Sequence, residues 1–156
     1  MRNTNSNVFL VILLGVLSAF GPFVVDLYLP SLPQLAQFFA TTPSMTQLTL
    51  TTAMIGLAVG QLLLGPMSDK FGRKKPLILS LVIYIISTVC IIFSPNVETM
   101  IVLRVVQGLS SAGSVVISRA VATDLYRGRE MTRFFGLLMT INGIAPIISP
   151  ILGSLL

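Results

Sequence analysis

Five long apolar segments take up most of this 156-residue chain and constrain its fold more than any other feature. A helix needs about 20 apolar residues to cross the hydrocarbon core of a bilayer, and each segment is close to that length. The segments cover residues 8–29, 46–67, 76–93, 97–123 and 132–155. We therefore predict an all-α fold, a polytopic membrane helix bundle whose spans are numbered first to fifth in chain order.

Composition agrees with a membrane location. Hydrophobic residues make up 54% of the chain and charged residues 10%, whereas soluble domains carry about 25% charged residues. The net charge is +5, but the basic residues lie in connections between apolar segments and form no continuous basic face. A lipid bilayer is therefore the expected environment, and nucleic acid is not an expected partner. The run after Arg2 is too long for a signal peptide, which indicates an uncleaved first span.

The basic residues mark one side of the membrane. They cluster in two connections, which carry Lys70, Arg73, Lys74 and Lys75, then Arg127, Arg129 and Arg133. The connections 30–45 and 94–96 contain neither lysine nor arginine. The positive-inside rule then places the N-terminus in the cytoplasm and, after five spans, the C-terminus outside.

Several functional classes are excluded by residue content. Cys90 is the single cysteine and histidine is absent, so the chain offers no intrachain disulfide, cysteine metal cluster, histidine-dependent triad or helical zinc motif. It also contains no phosphate-binding glycine loop for ATP. We therefore expect no metal, no cofactor and no enzymatic activity. Coupling to an ion gradient is the simplest remaining source of energy for transport.

Two charged residues fall within spans, where ionisable side chains usually mark function. Asp26 is the acid of the first span and the leading candidate to bind a transported proton. Arg104 lies about 10 Å into the fourth span, so it should face the bundle interior and tune the protonation of Asp26. The alternatives are that Asp26 reaches water from the span end, about 6 Å away, and that Arg104 bonds backbone carbonyls or Gln61 and Gln107.

The connection after the second span joins a glycine to an acid. Gly72 permits a tight reversal, and Asp69 lies at a helix C-terminus, where a negative charge is unfavourable. Asp69 therefore needs a cationic partner such as Arg73 or Arg119, unless a helix N-terminus outside this chain supplies it. The connection is either a gate or a solvated basic turn that only orients the chain. Arg119 is an interfacial anchor or a partner of this loop.

Other residues predict packing, bending and a binding surface. Small residues recur on the second and fourth spans and predict close helix contact: Gly56, Gly60, Gly108, Ala112 and Gly113. The fifth span contains Gly143, Pro146, Pro150 and Gly153, which predict a kink that shapes a cavity or serves packing alone. Adaptable side chains could line a drug site, although such residues more often face lipid or core: Tyr28, Met54, Gln61, Gln107 and Met139, with Phe20, Phe23 and Tyr84.

Four motifs, spread over essentially the whole chain, share their spacing with one family. The first is Gly65, Asp69, Gly72, Arg73, Lys74 and Lys75 in the loop after the second span. The second is Asp26, Leu27, Tyr28, Leu29 and Pro30, followed by Leu32 and Pro33. The third is Leu103, Arg104, Gln107 and Gly108, continued by Ser118, Arg119, Ala120 and Asp124. The fourth is Gly143, Ala145, Pro146, Pro150 and Gly153. Together they resemble the major facilitator superfamily, and within it the bacterial bicyclomycin and chloramphenicol exporters.

The resemblance implies the N-terminal part of a proton-coupled antiporter that exports drug-like small molecules across a bacterial inner membrane. It implies a proton-transfer role for Arg104, a cytoplasmic gate in the loop with Arg73 and Asp124 as a second ion pair, and an antiporter motif in the fifth span. The family's C-terminal half is missing, so another chain or a longer product would supply it. The alternative is a truncated, non-transporting membrane protein or a modulatory subunit of a larger carrier.

Overall fold

The computed structural model describes residues 10, 12–19, 21, 28–137, 139, 140 and 143. All regular structure in these residues is helical, which confirms the all-α class. A 3-10 turn at Leu29–Ser31 is followed by α1 (Leu32–Phe38), α2 (Pro43–Phe71), α3 (Lys74–Ile92) and α4 (Val97–Leu125). Residues 12–19 and 129–137 are also helical.

Three of the described helices, α2, α3 and α4, are long and apolar enough to cross a membrane. They overlap the second, third and fourth predicted spans, whereas parts of the first and fifth spans lie outside the described residues. Both α2 and α4 run past the predicted ends because polar residues continue the helix beyond the apolar segment, with Ser68 to Lys70 in α2 and Asp124 in α4. The chain is a multi-pass membrane protein.

Local signals set the helix ends. Thr42 caps α2 by accepting a hydrogen bond from the Met45 amide, and Pro43 occupies the first turn, where its missing donor costs nothing. Gly72 ends α2 with φ of 81°, a conformation that favours glycine. Asn96 caps α4 through a 2.8 Å bond from the Thr99 amide.

The central helix is α4, which packs along both α2 and α3, while α2 and α3 make few contacts with each other. At its closest points, the α2–α4 contact is between backbone atoms of the two helices. A Cβ atom added at Gly56 would overlap the carbonyl oxygen of Val105, and one added at Gly108 would overlap that of Ala53. Gly60 is as closely packed. The predicted close packing of small residues is therefore confirmed, and backbone touches backbone along this seam.

Buried hydroxyls of α4 are satisfied within α4 itself. Ser110 donates to the carbonyl of Gln107 at 2.9 Å, Ser111 to that of Gly108 at 2.7 Å, and Ser118 to that of Val115 at 3.0 Å. This local bonding lets small polar residues occupy a buried face without requiring partners on other helices.

The outward faces of the described helices are apolar. Leu62 is 77% exposed, Ile92 73% and Phe93 78%. Large apolar side chains exposed over whole helices fit a surface that lies in lipid rather than water.

Candidate functional site

Arg104 is a buried cation in the centre of the bundle. Its side chain on α4 is only 7% exposed. The Nη1 atom donates to Oε1 of Gln107 at 2.9 Å, and the guanidinium carbon lies 3.7 Å from the centroid of the Tyr28 ring. The prediction that Arg104 faces the interior is confirmed, and so is the alternative contact with Gln107.

Gln107 connects Arg104 to α3. Its Nε2 atom donates to the Thr88 hydroxyl at 2.8 Å, and that hydroxyl donates to the Tyr84 carbonyl at 2.7 Å. Tyr84 also interacts electrostatically with Arg104. The guanidinium is therefore tied to the neighbouring helix α3 through a short chain of hydrogen bonds.

Tyr28 connects the same guanidinium to α2. Its hydroxyl lies 2.6 Å from the Thr49 hydroxyl. Thr49 donates its single proton to the Thr46 carbonyl at 2.5 Å, so the Tyr28 hydroxyl must be the donor in their shared bond. We call Tyr28, Thr49, Thr88, Arg104 and Gln107 the inner cluster.

The inner cluster has a positive charge without a matching carboxylate in the part of the chain that the structure describes. None of the ion pairs there includes Arg104, and its buried Nε atom has no hydrogen-bond partner. The acids described are Asp69, Glu98, Asp124 and Glu130. Asp26 lies outside the described residues. Burying a cation without an anion costs free energy, so a negative charge beside Arg104 would stabilise the inner cluster.

Three of the residues that were predicted to line a substrate cavity lie outside the inner cluster. Gln61 is exposed on α2 and does not bond Arg104, so that alternative is wrong. It follows Gly60, which packs on α4, and one residue turns a helix by about 100°. Met54 is 47% and Met139 74% exposed.

The space beside the inner cluster is too small for a drug. The void that Tyr84, Gln107 and Ser111 share with Gly21 and Leu57 has a volume of about 10 Å³, which is room for about one water molecule. This void therefore holds no drug-sized molecule.

A second polar cluster ties the ends of α2 and α4. The Nε atom of Arg73 donates to Oδ2 of Asp124 at 3.0 Å, and its Nη1 donates to Asp69 and, at 2.7 Å, to the Ser68 hydroxyl. We call these four residues the loop cluster. Asp69 and Asp124 both lie in the last turn of a helix, where the dipole disfavours an acid, and one guanidinium compensates both.

Arg73 keeps its positive charge in the loop cluster, and the cluster is partly solvated. The hydrogen bond to Asp124 raises the pKa of Arg73, burial opposes this effect, and Asp69 adds to it. The side chains of Arg73, Asp69 and Asp124 are 28%, 65% and 53% exposed. Water screens such pairs, so the cluster fixes geometry more than it adds stability.

Other members of the predicted loop motif do not join the cluster. Lys74 and Arg119 are exposed, and no ion pair among the described residues includes either one. The alternative in which Arg119 pairs with the loop is therefore wrong, because Arg119 lies five positions before Asp124 and is turned about 140° from it around α4. Gly65 has only Val116 near the position of an added Cβ, at 3.7 Å.

Some predicted residues lie outside the described part of the chain. These are Asp26, Pro146, Pro150 and Gly153. Gly143 is described and helical. Because both prolines lie outside the described residues, the kink in the fifth span stays a prediction. Sequence reasoning did not single out Thr49, Thr88 or Ser68. A sequence signal existed for the first of these, since threonines at 46, 49 and 52 fall within an apolar segment.

Comparison with known proteins shows the family. Residues 9–156 match the family model of the Major Facilitator Superfamily. An uncharacterized MFS-type transporter of Bacillus subtilis is 41% identical, covering 92% of this chain and 36% of the relative. A bicyclomycin resistance protein homolog of Haemophilus influenzae is 33% identical, with 98% and 38% covered. A chloramphenicol resistance protein of Pseudomonas aeruginosa is 32% identical, with 93% and 35% covered.

The chain thus spans little more than a third of the length of these curated relatives. Their match extends over nearly all of its residues, including both polar clusters described above. This chain belongs to the Major Facilitator Superfamily.

Proposed function

We propose that this chain forms part of a proton-coupled exporter of drug-like small molecules in a bacterial inner membrane. The single observation that carries the proposal is the burial of Arg104 without a carboxylate among the described residues. Intramembrane charges of this kind commonly mark ion or substrate pathways. Relatives named for bicyclomycin and chloramphenicol resistance support export of such compounds.

Asp26 is the proposed proton carrier. It is the remaining acid of the five in the chain, and it lies two positions before Tyr28, whose ring contacts Arg104. Two positions of chain span at most about 7 Å, so the Cα atoms of residues 26 and 28 can be no farther apart than that. An ionised Asp26 would neutralise Arg104, and a protonated one would leave the cation unbalanced.

This linkage provides a basis for exchange. Protonation of Asp26 removes the countercharge of Arg104, and release of the proton restores it, so the two charge states favour different arrangements of the helices around the cluster. A substrate that binds one arrangement better than the other is thereby coupled to the proton. For a cationic substrate, the ionised carboxylate is also a direct binding partner.

The loop cluster is the proposed cytoplasmic gate. The basic residues around it, through the positive-inside rule, support a cytoplasmic position for the connection between α2 and α3 and for the N-terminus. Arg73 joins the ends of α2 and α4 there. Separating these helix ends requires breaking the bond from Arg73 to Asp124, which links opening of this face to one guanidinium.

Transport by vesicles tests the proposal. The native gene product is expressed in everted membrane vesicles, and proton-driven uptake of radiolabelled chloramphenicol is compared with that of Asp26→Asn and Glu98→Gln. We expect Asp26→Asn to abolish uptake driven by the pH gradient, whereas Glu98→Gln, which changes an exposed acid on the first turn of α4, retains it. Equal uptake by wild type and Asp26→Asn would overturn proton coupling through this residue.

The rival function is a non-transporting membrane protein or a modulatory subunit of a larger carrier. An antibody to residues 70–75 distinguishes the two in source-cell membranes. A band near 16.8 kDa would support the subunit. A band two to three times heavier, roughly the size of a two-repeat carrier, would support the exporter.

A further inference from the structure

Tyr28 holds a position that its assignment as a cavity-lining residue does not explain. The side chain is 8% exposed. Its ring faces the Arg104 guanidinium, and its hydroxyl bonds Thr49 at 2.6 Å. One side chain therefore contacts the buried cation of α4 and a threonine of α2 at the same time.

The ring is one of the supports of the guanidinium among the described residues. Another is the Gln107 amide oxygen on the same helix, and Tyr84 on α3 also acts on this group. A cation over an aromatic face is attracted by the ring quadrupole, and the attraction is strongest where water is excluded. Because the ring is neutral, it supports the cation without satisfying its need for an anion.

The hydroxyl fixes where the ring lies. Thr49 is fully buried and is itself anchored to the Thr46 carbonyl. The bond from Tyr28 therefore ends on a rigid part of α2 and cannot follow the guanidinium if Arg104 moves. The ring is held in place, and the guanidinium adjusts to it.

We infer that Tyr28 is a positioning residue that holds Arg104 against an α2-anchored aromatic face and so limits how closely the guanidinium pairs with a carboxylate. The role rests on the proposed function insofar as that carboxylate is Asp26. The other side chains facing the guanidinium are Gln107 on α4 and Tyr84 on α3. The acids described in the structure form no ion pair with it.

The ring and the carboxylate compete for the guanidinium, and this competition decides how removal of the ring changes the proton affinity of the carboxylate. With the ring in place, the guanidinium is shared between Tyr28 and its anion. Without the ring, the guanidinium is no longer shared, so it pairs more fully with its carboxylate, which is Asp26 in the proposed function, and stabilises the ionised form. The carboxylate then binds its proton only at lower pH, so loss of the ring should move proton-coupled transport to lower pH.

The experiment compares three variants of the native gene product in proteoliposomes: Tyr28→Phe, Tyr28→Leu and Thr49→Val. Tyr28→Phe keeps the ring and removes the hydroxyl, Tyr28→Leu removes the ring, and Thr49→Val removes the anchor at nearly constant volume. The readout is proton release driven by chloramphenicol, measured against pH. We expect Tyr28→Leu to move the midpoint down by about one pH unit, equivalent to a tenfold change in proton affinity, and the other two variants to move it less.

An unchanged midpoint in Tyr28→Leu would overturn the positioning role, and so would an equal shift in Tyr28→Phe, because the ring and not the hydroxyl is assigned the effect. Absence of proton release in the wild type would instead contradict the proposed function. The two failures are therefore distinguishable.

A second measurement does not depend on transport. Phenylglyoxal modification of Arg104 is followed by peptide mass spectrometry in detergent. We expect Arg104 to react about tenfold faster in Tyr28→Leu than in wild type or Tyr28→Phe, since the ring covers one face of the guanidinium. Equal rates in all three proteins would also overturn the role, and reaction of exposed Arg127 serves as the internal reference.

Discussion

Arg104 and Arg73 show how far the surroundings of a residue decide its role. Arg104 is buried, has one hydrogen-bond acceptor and stacks on a ring. Arg73 lies at the bundle end with two carboxylates and a hydroxyl. The first is a charge that needs an anion, and the second is a charge that already has two. Their expected responses to substitution differ accordingly.

Lysine should not replace Arg104. Arg104→Lys keeps the positive charge but loses the planar group that stacks on Tyr28 while bonding Gln107. We expect proton-coupled transport by the native gene product to fall about tenfold or more, with normal membrane insertion. The control is Arg127→Lys, an exposed position in the connection after α4. Full activity of Arg104→Lys would show that charge alone suffices.

The loop cluster should stabilise the fold equally over neutral and alkaline pH. The pKa of Arg73 is raised, mainly by its hydrogen bond to Asp124. A raised value means that the contribution is present below the unfolded pKa and is lost only as pH rises through the folded pKa, far above physiological pH. The loss of stability of Arg73→Gln relative to wild type, measured as a shift in melting temperature, should therefore stay constant from about pH 7 to about pH 9 and correspond to about 1 kcal/mol or less of unfolding free energy. A difference that fades across this window would contradict a permanently charged cluster.

At the scale of elements, the α2–α4 seam depends on glycine at a few positions. A Cβ at Gly108 would overlap the backbone of α2, and backbone cannot move aside as a side chain can. We expect Gly108→Ala to lower the melting temperature by several degrees, corresponding to about 1–3 kcal/mol of overpacking. Gly136→Ala is the matched control, since nothing lies within 4 Å of its added Cβ. Equal melting temperatures for the two variants would mean that the seam is looser than described.

Hydropathy predicted the helices well because crossing a bilayer demands long apolar segments, and small-residue spacing correctly identified the seam. The inward position of Arg104 followed from its depth in the fourth span. The contacts around it did not follow, because they depend on which face of each helix meets its neighbour. Gln61 and Arg119 were wrong for this reason: each lies on the correct helix but faces away from the cluster. Tyr28 was singled out, yet its stacking on Arg104 joins residues 76 positions apart in the chain.

For the whole molecule, the distribution of basic residues predicts one orientation in the membrane. After Cys90→Ala removes the single cysteine, Thr41→Cys lies in the connection before α2 and Lys75→Cys in the first turn of α3, beside the connection after α2. An impermeant maleimide should label position 41 in intact cells and position 75 only in everted vesicles. The reverse pattern would place the N-terminus outside and remove the loop cluster from the cytoplasmic face.

The serines of α4 have a consequence for motion. Because Ser110, Ser111 and Ser118 bond their own helix, sliding α4 a short way along α2 would strand none of these hydroxyls without a partner. The α2–α4 seam is closely packed but has few side-chain bonds between the two helices. The inner cluster is then the main polar link between them. While its contacts hold, the helices move together, and when its charges rearrange, they are free to shift.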